Sequence, residues 1–230
     1  MKLGIICAME EEIRTLVNQL TDRQETLVAG QRFYSGQLAG HEVALVESGI
    51  GKVQAALTAA VLLEVFKPDL LINTGSAGGI GEGLAIGDVV ISDAVAYHDV
   101  DATAFGYLPG QLPQQPQKFE ADATAVAAIA EAARDVALTT HVGLIVSGDQ
   151  FIASKPAIGK ILAIYPDALA SEMEGAAIGQ VAHQFGVPFV IIRAMSDVGD
   201  ESASVNFDDF IIDAGKQSAQ MLLAYLKNNS

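Results

Sequence analysis

The sequence has no tryptophan and only one cysteine, Cys7. A single thiol cannot close an intrachain disulfide, and Cys7 lies inside the first apolar run. It reads as a buried thiol in a reducing compartment. Positive charge is scarce: 13 Lys and Arg stand against 28 Asp and Glu, for a formal net charge of −15. Nucleic acids and anionic membranes are held by clustered Lys and Arg, so neither is an expected partner. Charged residues make up only 18% of the chain, while half of its 230 residues are hydrophobic. That suffices for one domain over residues 1–230, with apolar surface left for a partner chain. No uncharged apolar run approaches the ~20 residues of a membrane span. The apolar stretch after Met1-Lys2 meets Glu10-Glu11-Glu12 too soon for a secretory signal. The expectation is a soluble cytoplasmic protein.

What is present is organised around residues 168–197. Residues 168–171 read as a short strand running into Glu172-Met173-Glu174. Residues 175–185 carry small and apolar side chains at helical spacing. Gly186-Val187-Pro188 ends that helix, because Gly serves as a C-cap and Pro cannot continue. Residues 189–195 form a β-rich run broken only by Arg193, as expected of a strand buried on both faces. Both strands therefore end in acid: Glu172 and Glu174 on one, Asp197 on the other. Ligands of open α/β sheets bind at the carboxyl ends of strands. Three carboxylates and one arginine at two strand ends point to a site. Acids ahead of a helix can also do no more than satisfy free N–H groups and the helix dipole. That reading suits Glu172 or Glu174 singly. It suits Asp197 less, because Val198-Gly199-Asp200-Glu201 is not a helix start.

Upstream, residues 2–8 read as a strand and 9–20 as a helix with the stripe Met9, Ile13, Leu16, Val17 and Leu20. Glu10 faces outward, where Arg14 can pair with it at i+4. Glu12 flanks the buried stripe and points toward the strand ends. Residues 25–38 read as two antiparallel strands around Gly30, 42–46 as another strand, and 53–66 as an amphipathic helix. Ser48-Gly49-Ile50-Gly51-Lys52 is a tight strand-to-helix loop. It is not a P-loop, since the earlier glycine is missing and Val follows Lys. Residues 70–73 read as a buried strand and 74–81 as a Gly-rich loop whose backbone a ligand can approach. No helix follows it, which excludes a dinucleotide fingerprint. Residues 88–92 and 94–98 are extended. Residues 99–119 form a long loop carrying Phe105 and Tyr107, of a length usually tied to function. A helix over 122–136, a strand over 141–147, a short helix over 155–164 and a last helix over 208–227 complete the chain. Gly148-Asp149-Gln150-Phe151-Ile152 hangs from the carboxyl end of the 141–147 strand.

A set of motifs now stands in order: Ala8-Met9-Glu10-Glu11-Glu12, Ser48-Gly49-Ile50-Gly51-Lys52, Asn73-Thr74-Gly75-Ser76-Ala77-Gly78-Gly79, Ser147-Gly148-Asp149, Phe151-Ile152, Glu172-Met173-Glu174-Gly175-Ala176-Ala177 and Arg193-Ala194-Met195-Ser196-Asp197. Together and in this order they resemble the bacterial 5′-methylthioadenosine/S-adenosylhomocysteine nucleosidases, of the purine nucleoside phosphorylase superfamily. The resemblance runs over essentially the whole chain. Ala102 and Gly199 depart from the family pattern and bear on pocket shape. The resemblance implies an α/β, three-layer fold: a twisted mixed β-sheet flanked by helices, nucleoside phosphorylase-like. It implies a homodimer with no metal and no organic cofactor. The implied reaction is hydrolysis of the N-glycosidic bond of methylthioadenosine, S-adenosylhomocysteine and 5′-deoxyadenosine, releasing adenine.

The residue roles are likewise what the resemblance implies. Asp197 would protonate adenine N7, so its carboxyl must keep a proton near neutral pH. Glu12 would be the base that readies a water for ribose C1′, and Glu174 would accept from both ribose hydroxyls. Carboxyl groups on opposite sides of a sugar, with water between, make the geometry of inverting glycoside hydrolysis. Phe151 would stack on the base and the Ile152 backbone would pair with its edge. Ser196 would orient Asp197, while Ser76 and Arg193 would arrange the water and Glu12. Ala77 and Gly78 belong to the substrate-binding strand end. Met9, Ile50, Met173 and Phe207 would surround ribose and the 5′-thioether, since Met suits sulfur and irregular shapes. Phe105, Tyr107 and Pro113 of a partner subunit would close the 5′ end. A phosphorylase would need clustered cations for phosphate. Only Arg193 of the five arginines falls beside these acids, and Glu12 would repel the anion. A non-catalytic purine-binding protein on the same fold would need neither Glu12 nor Asp197.

Overall fold

The computed structural model describes residues 1–198 and 203–229, and for 203–209 the backbone only. The strands are β1 (Lys2–Cys7), β2 (Thr21–Val28), β3 (Gln31–Leu38), β4 (His41–Glu47), β5 (Leu70–Gly79), β6 (Val89–Tyr97), β7 (Lys118–Glu120), β8 (Thr140–Ser147), β9 (Ala168–Glu172) and β10 (Phe189–Asp197). The helices are α1 (Glu10–Val17), α2 (Lys52–Phe66), α3 (Ala123–Asp135), α4 (Lys155–Ile164), α5 (Gly175–Phe185) and α6 (Ala203–Asn228). β10 pairs in parallel with β5 and antiparallel with β6. β6 and β8 are parallel, as are β8 and β9, and β9 returns antiparallel to β5. These strands close a ring. β1, β4, β3 and β2 extend from β5 as an arm, parallel at first and then antiparallel. The expected mixed sheet between helical layers is present, and the closure adds to it.

Alternation sorts the apolar residues to the two faces. Ile5, Cys7, Ile72, Val190 and Ile192 pack with α1, α3 and α6, while Ile6, Leu71, Ile191 and Met195 pack with α2 and α5. β10 is therefore covered on both faces, as its continuous apolar run requires. Each of its buried Ile and Val side chains contributes about 1.5–3 kcal/mol by leaving water. α4 covers a third cluster with Ile152, Ile161 and Tyr165. Asp122 caps α3 by accepting from Ala125 N at 2.8 Å. Gly186, in the left-handed region at φ 65°, ends α5.

Several elements depart from the sequence reading. The Gly-rich run is strand, not loop: β5 continues to Gly79, with residues 71–78 paired to β10 and Gly78-Gly79 to β9. Paired neighbours on both sides override the low strand preference of glycine. Residues 89–97 form one strand with a register shift between Ser92 and Ala94, not two extended pieces. α1 stops at Val17, because the chain must turn to start β2 at Thr21. The long loop contributes β7, paired with β6. α6 begins at Ala203, ahead of the expected start. Among the described residues no helix is long and apolar enough to cross a membrane.

Candidate active site

The carboxyl ends of β1, β5, β9 and β10 surround a cleft of about 380 Å³. Met9, Glu12, Ile50, Ser76, Ala77, Gly78, Phe151, Met173, Glu174, Ser196 and Asp197 line it, along with Ala8, Gln150, Ser171 and Glu172. The segments that supply Glu12, Glu174 and Asp197 are far apart in sequence, and the fold brings them to one cavity.

Glu12 is 2% exposed although it belongs to an acidic helix start. Its Oε2 accepts from the backbone N–H of Ala8 (2.9 Å) and Met9 (3.1 Å). The second contact is the reach-back of a glutamate at the third helical position to the cap residue. Its Oε1 accepts from Ser76 N (3.0 Å) and Ser76 Oγ (3.1 Å), which fixes the carboxylate against β5. Glu10, by contrast, faces solvent and pairs with Arg14 at 3.4 Å. Three consecutive glutamates thus part company, as a 100° turn per residue requires.

Gly75 explains how Glu12 lies so close to β5. A Cβ there would stand 2.6 Å from Glu12 Oε1 and 2.7 Å from Arg193 Nη1. A Cβ on Gly78 would stand 2.8 Å from Asp197 Oδ1. These two glycines are gaps into which functional side chains fit. Asp197 is 2% exposed, and the Ser196 hydroxyl donates to its Oδ2 at 3.0 Å. The ladder runs from Met195 opposite Ala77 to Asp197 opposite Gly78, so Ser196 is the extra residue of a bulge. Such an insertion re-aims the side chain that follows it.

On β9, Glu172 accepts from Ser147 Oγ, from Glu174 N (3.0 Å) and Gly175 N (2.7 Å), and from Arg193. It therefore caps α5 and neutralises the buried arginine. Glu174 accepts from Gly51 N at 2.8 Å and lies 3.5 Å from Arg193. Burial, then the neighbouring Glu172 charge, push the Glu174 carboxyl up to about 7; Arg193 and the Gly51 N–H only partly offset them. Burial opposes the Arg193 charge, but the carboxylates of Glu172, Glu174 and Glu12 outweigh it and raise its pKa. The remaining hydrogen bond of Arg193 goes to Asn73 Oδ1 at 2.6 Å.

Among the described side chains, those of the other expected residues do not line the cleft of this chain. Arg193 lies behind the cleft wall, and its ion pairs are with Glu172 and Glu174 rather than Glu12. The Ile152 side chain packs in the α4 cluster and does not line the cleft. Phe105, Tyr107 and Pro113 do not line the cleft of their own chain, and Phe105 is 82% exposed. Phe207 and Gly199 lie outside the residues whose side chains are described. Sequence reasoning gave Glu172 no role of its own and passed over Gly75, Ala8 and Gln150. The signal for Gly75 was the density of glycine in a run that proved to be a strand.

The chain matches the Phosphorylase superfamily over residues 2–227. Among solved structures it is similar to a nucleosidase of S. pneumoniae held with the transition-state inhibitor MT-ImmA. The two share 53% identity over 100% of both chains, with a TM-score of 0.96. The S-adenosylhomocysteine nucleosidase of Streptococcus pyogenes, in complex with 5-methylthiotubericidin, is 49% identical, covering 100% of this chain and 98% of that one, with a TM-score of 0.97. A more distant relative from Helicobacter pylori is an Asp-to-Asn variant with 5′-methylthioadenosine in its active site. It is 31% identical, over 99% of this chain and 98% of that one, with a TM-score of 0.94. Fold, chain length and sequence agree, and the chain belongs to the 5′-methylthioadenosine/S-adenosylhomocysteine nucleosidases of the phosphorylase superfamily.

Proposed function

We propose that this protein hydrolyses the N-glycosidic bond of 5′-methylthioadenosine and S-adenosylhomocysteine, and of 5′-deoxyadenosine, to adenine and the free 5-thio- or 5-deoxyribose. One domain spanning residues 1–230 carries the reaction. The observation that carries the reading is the meeting of Glu12, Glu174 and Asp197 at one cleft. Cleavage leaves an oxocarbenium-like sugar, and adenine departs poorly as an anion. Asp197 gives its proton to N7, so adenine leaves neutral. Glu12 takes a proton from water as the oxygen bonds to C1′, and Ser76 holds Glu12 in place. Glu174 accepts from the ribose hydroxyls. Phe151, half exposed at the cleft, offers its ring to the purine, and the Ile152 backbone pairs with the purine edge. Met9, Ile50 and Met173 face the sugar and the 5′-thioether.

Water is favoured over phosphate on electrostatic grounds. Glu12 lines the cleft, and the nearby cation, Arg193, is already engaged by Glu172 and Glu174. Ile50, Val53, Leu57, Phe105 and Leu108 are exposed large hydrophobic residues, which fits a homodimer whose partner loop closes the 5′ end. The setting is cytoplasmic, in methionine salvage and clearance of methyl-transfer by-products. The test follows free base from methylthioadenosine, adenosine and inosine, with and without phosphate. Adenine release independent of phosphate is expected, with the thioether nucleoside preferred. Strict phosphate dependence with a sugar 1-phosphate product would rule out hydrolysis.

A further inference from the structure

Lys52 closes the Ser48–Lys52 turn, and the reaction as described gives its charged side chain no task. Gly49 and Gly51 of that turn have φ of 79° and 98°, values that favour glycine, so the chain reverses tightly and delivers Lys52 to the start of α2. The Lys52 ammonium lies 2.8 and 2.6 Å from the two oxygens of Asp99 and 3.8 Å from Asp149. The Lys52 backbone N–H donates to Asp149 Oδ1 at 2.8 Å, and Asp149 N donates to Asp99 Oδ2 at 2.9 Å. Lys52 and Asp99 side chains are only 22% and 10% exposed, so water screens this pair less than a surface bridge. Burial raises the Asp99 carboxyl, but the Lys52 and Asp149 contacts outweigh it and hold the group below its usual range.

Three segments meet at this knot, and two of them touch the cleft. Gly51 N holds Glu174. Asp149 lies just before Gln150 and Phe151, which line the cleft. The third segment, at Asp99, is the root of the long loop. The turn at Gly148 packs directly on the His98 ring, since a Cβ there would stand 2.4 Å from it. Without the ammonium, the carboxylates of Asp99 and Asp149 would be left facing the same space, and their repulsion would push the Phe151 segment away from the Gly51 turn. Glu12 and Asp197 are held by other elements, α1 and β10, and do not depend on the knot.

We propose that Lys52 is a positioning residue for the purine half of the cleft. With Asp99 and Asp149 it fastens the Phe151 segment to the Gly51 turn and sets affinity for adenine without touching it. The inference rests on the assignment of Phe151 to the purine. Phe151 holds the base equally before and during bond cleavage, so loosening it removes uniform binding, which appears in KM and not in kcat.

The experiment compares wild type with Lys52→Met and Lys52→Arg. It measures the KM and kcat for methylthioadenosine, the Kd of free adenine and the Tm. In Lys52→Met, KM and the adenine Kd are expected to rise about tenfold, while kcat stays within about threefold. Lys52→Arg, whose guanidinium can bridge the same carboxylates, is expected to restore both. A lowered Tm with unchanged adenine affinity would mean that Lys52 only stabilises the fold, and would overturn the proposal. So would a collapse of kcat at constant adenine Kd, or failure of Arg to rescue. Should Lys52→Met not fold, Asp149→Ala at a 51% exposed side chain takes its place. It should weaken adenine about threefold, and unchanged affinity there would equally overturn the idea. If wild type binds adenine but releases none from the nucleoside, the functional reading fails while the adenine Kd still tests the knot.

Discussion

The back and the rim of the cleft are built on opposite terms. At the back, Glu12, Glu172, Glu174 and Asp197 are 7% exposed or less, and hydrogen bonds from β5, β8, α5 and the Gly51 turn hold the carboxyl groups. At the rim, Ile50 and Phe151 are 54% and 50% exposed. A buried charged group that loses its partner is costly, whereas an exposed apolar group can move without leaving a charge unpaired. On the proposed reading, the back is held ready for proton transfer, while Ile50 and Phe151 at the rim meet the sugar side and the purine. Changes at the back should strike turnover, and changes at the rim should strike affinity.

The sharpest test is Asp197→Asn, which keeps the shape and removes the acid. It should lower kcat by about 10² to 10⁴-fold with adenine binding largely kept, measured by steady-state release and equilibrium titration. Unaltered turnover would take Asp197 out of the chemistry. Next comes Gly75→Ala, whose new methyl would stand 2.6 Å from Glu12 Oε1. A displacement of the base by about 1 Å should cost about 10²-fold in kcat. Normal turnover with normal Tm would show that Glu12 need not lie against β5.

A smaller effect separates Glu174 from the other acids. Its carboxyl titrates near 7, with Glu172, Arg193, Glu12 and the Gly51 N–H facing it. Accepting two hydroxyls requires the ionised form, so the Kd of an uncleavable nucleoside analogue should fall as pH rises through about 7. The fall is up to about tenfold per unit below that point. Stability has the opposite sign. The folded chain keeps a proton that the unfolded chain releases near 4.5, so the Glu174 contribution is lost as pH rises from there through about 7. Glu174→Gln should flatten both profiles, and a pH-independent Kd in wild type would contradict the assignment. Smallest is Phe105→Ala at the rim, expected to raise KM for methylthioadenosine about threefold to tenfold with adenosine less affected. If KM stays constant while the chain is monomeric in solution, Phe105 is not part of a partner's lid.

The sequence carried the local elements well and the closure hardly at all. α4 and α5 fall on the residues that capping and spacing indicate, 155–164 and 175–185. β5 was hidden because its glycines look like a loop, and their strand state depends on partners in β9 and β10 far along the chain. The acids at strand ends were legible from the sequence. The division of labour between Glu172 and Glu174 was not, since it depends on which carboxylate the Arg193 guanidinium meets. Gly75 and Gly78 were legible as glycine and illegible as a fit, because their meaning lies in side chains 63 and 119 positions away.

The inserted Ser196 has a consequence for evolution of the chain. It lies in the ladder with β5, two residues beyond the last pair that β10 makes with β6, in a strand that belongs to a closed ring. Deleting one residue here would reverse the direction of the terminal aspartate and shift its pairing with Gly78 of β5. If Asp197 is the proton donor proposed above, the length of this seam is held constant by that task, and variation among related chains should collect in the arm of β2 and β3 instead.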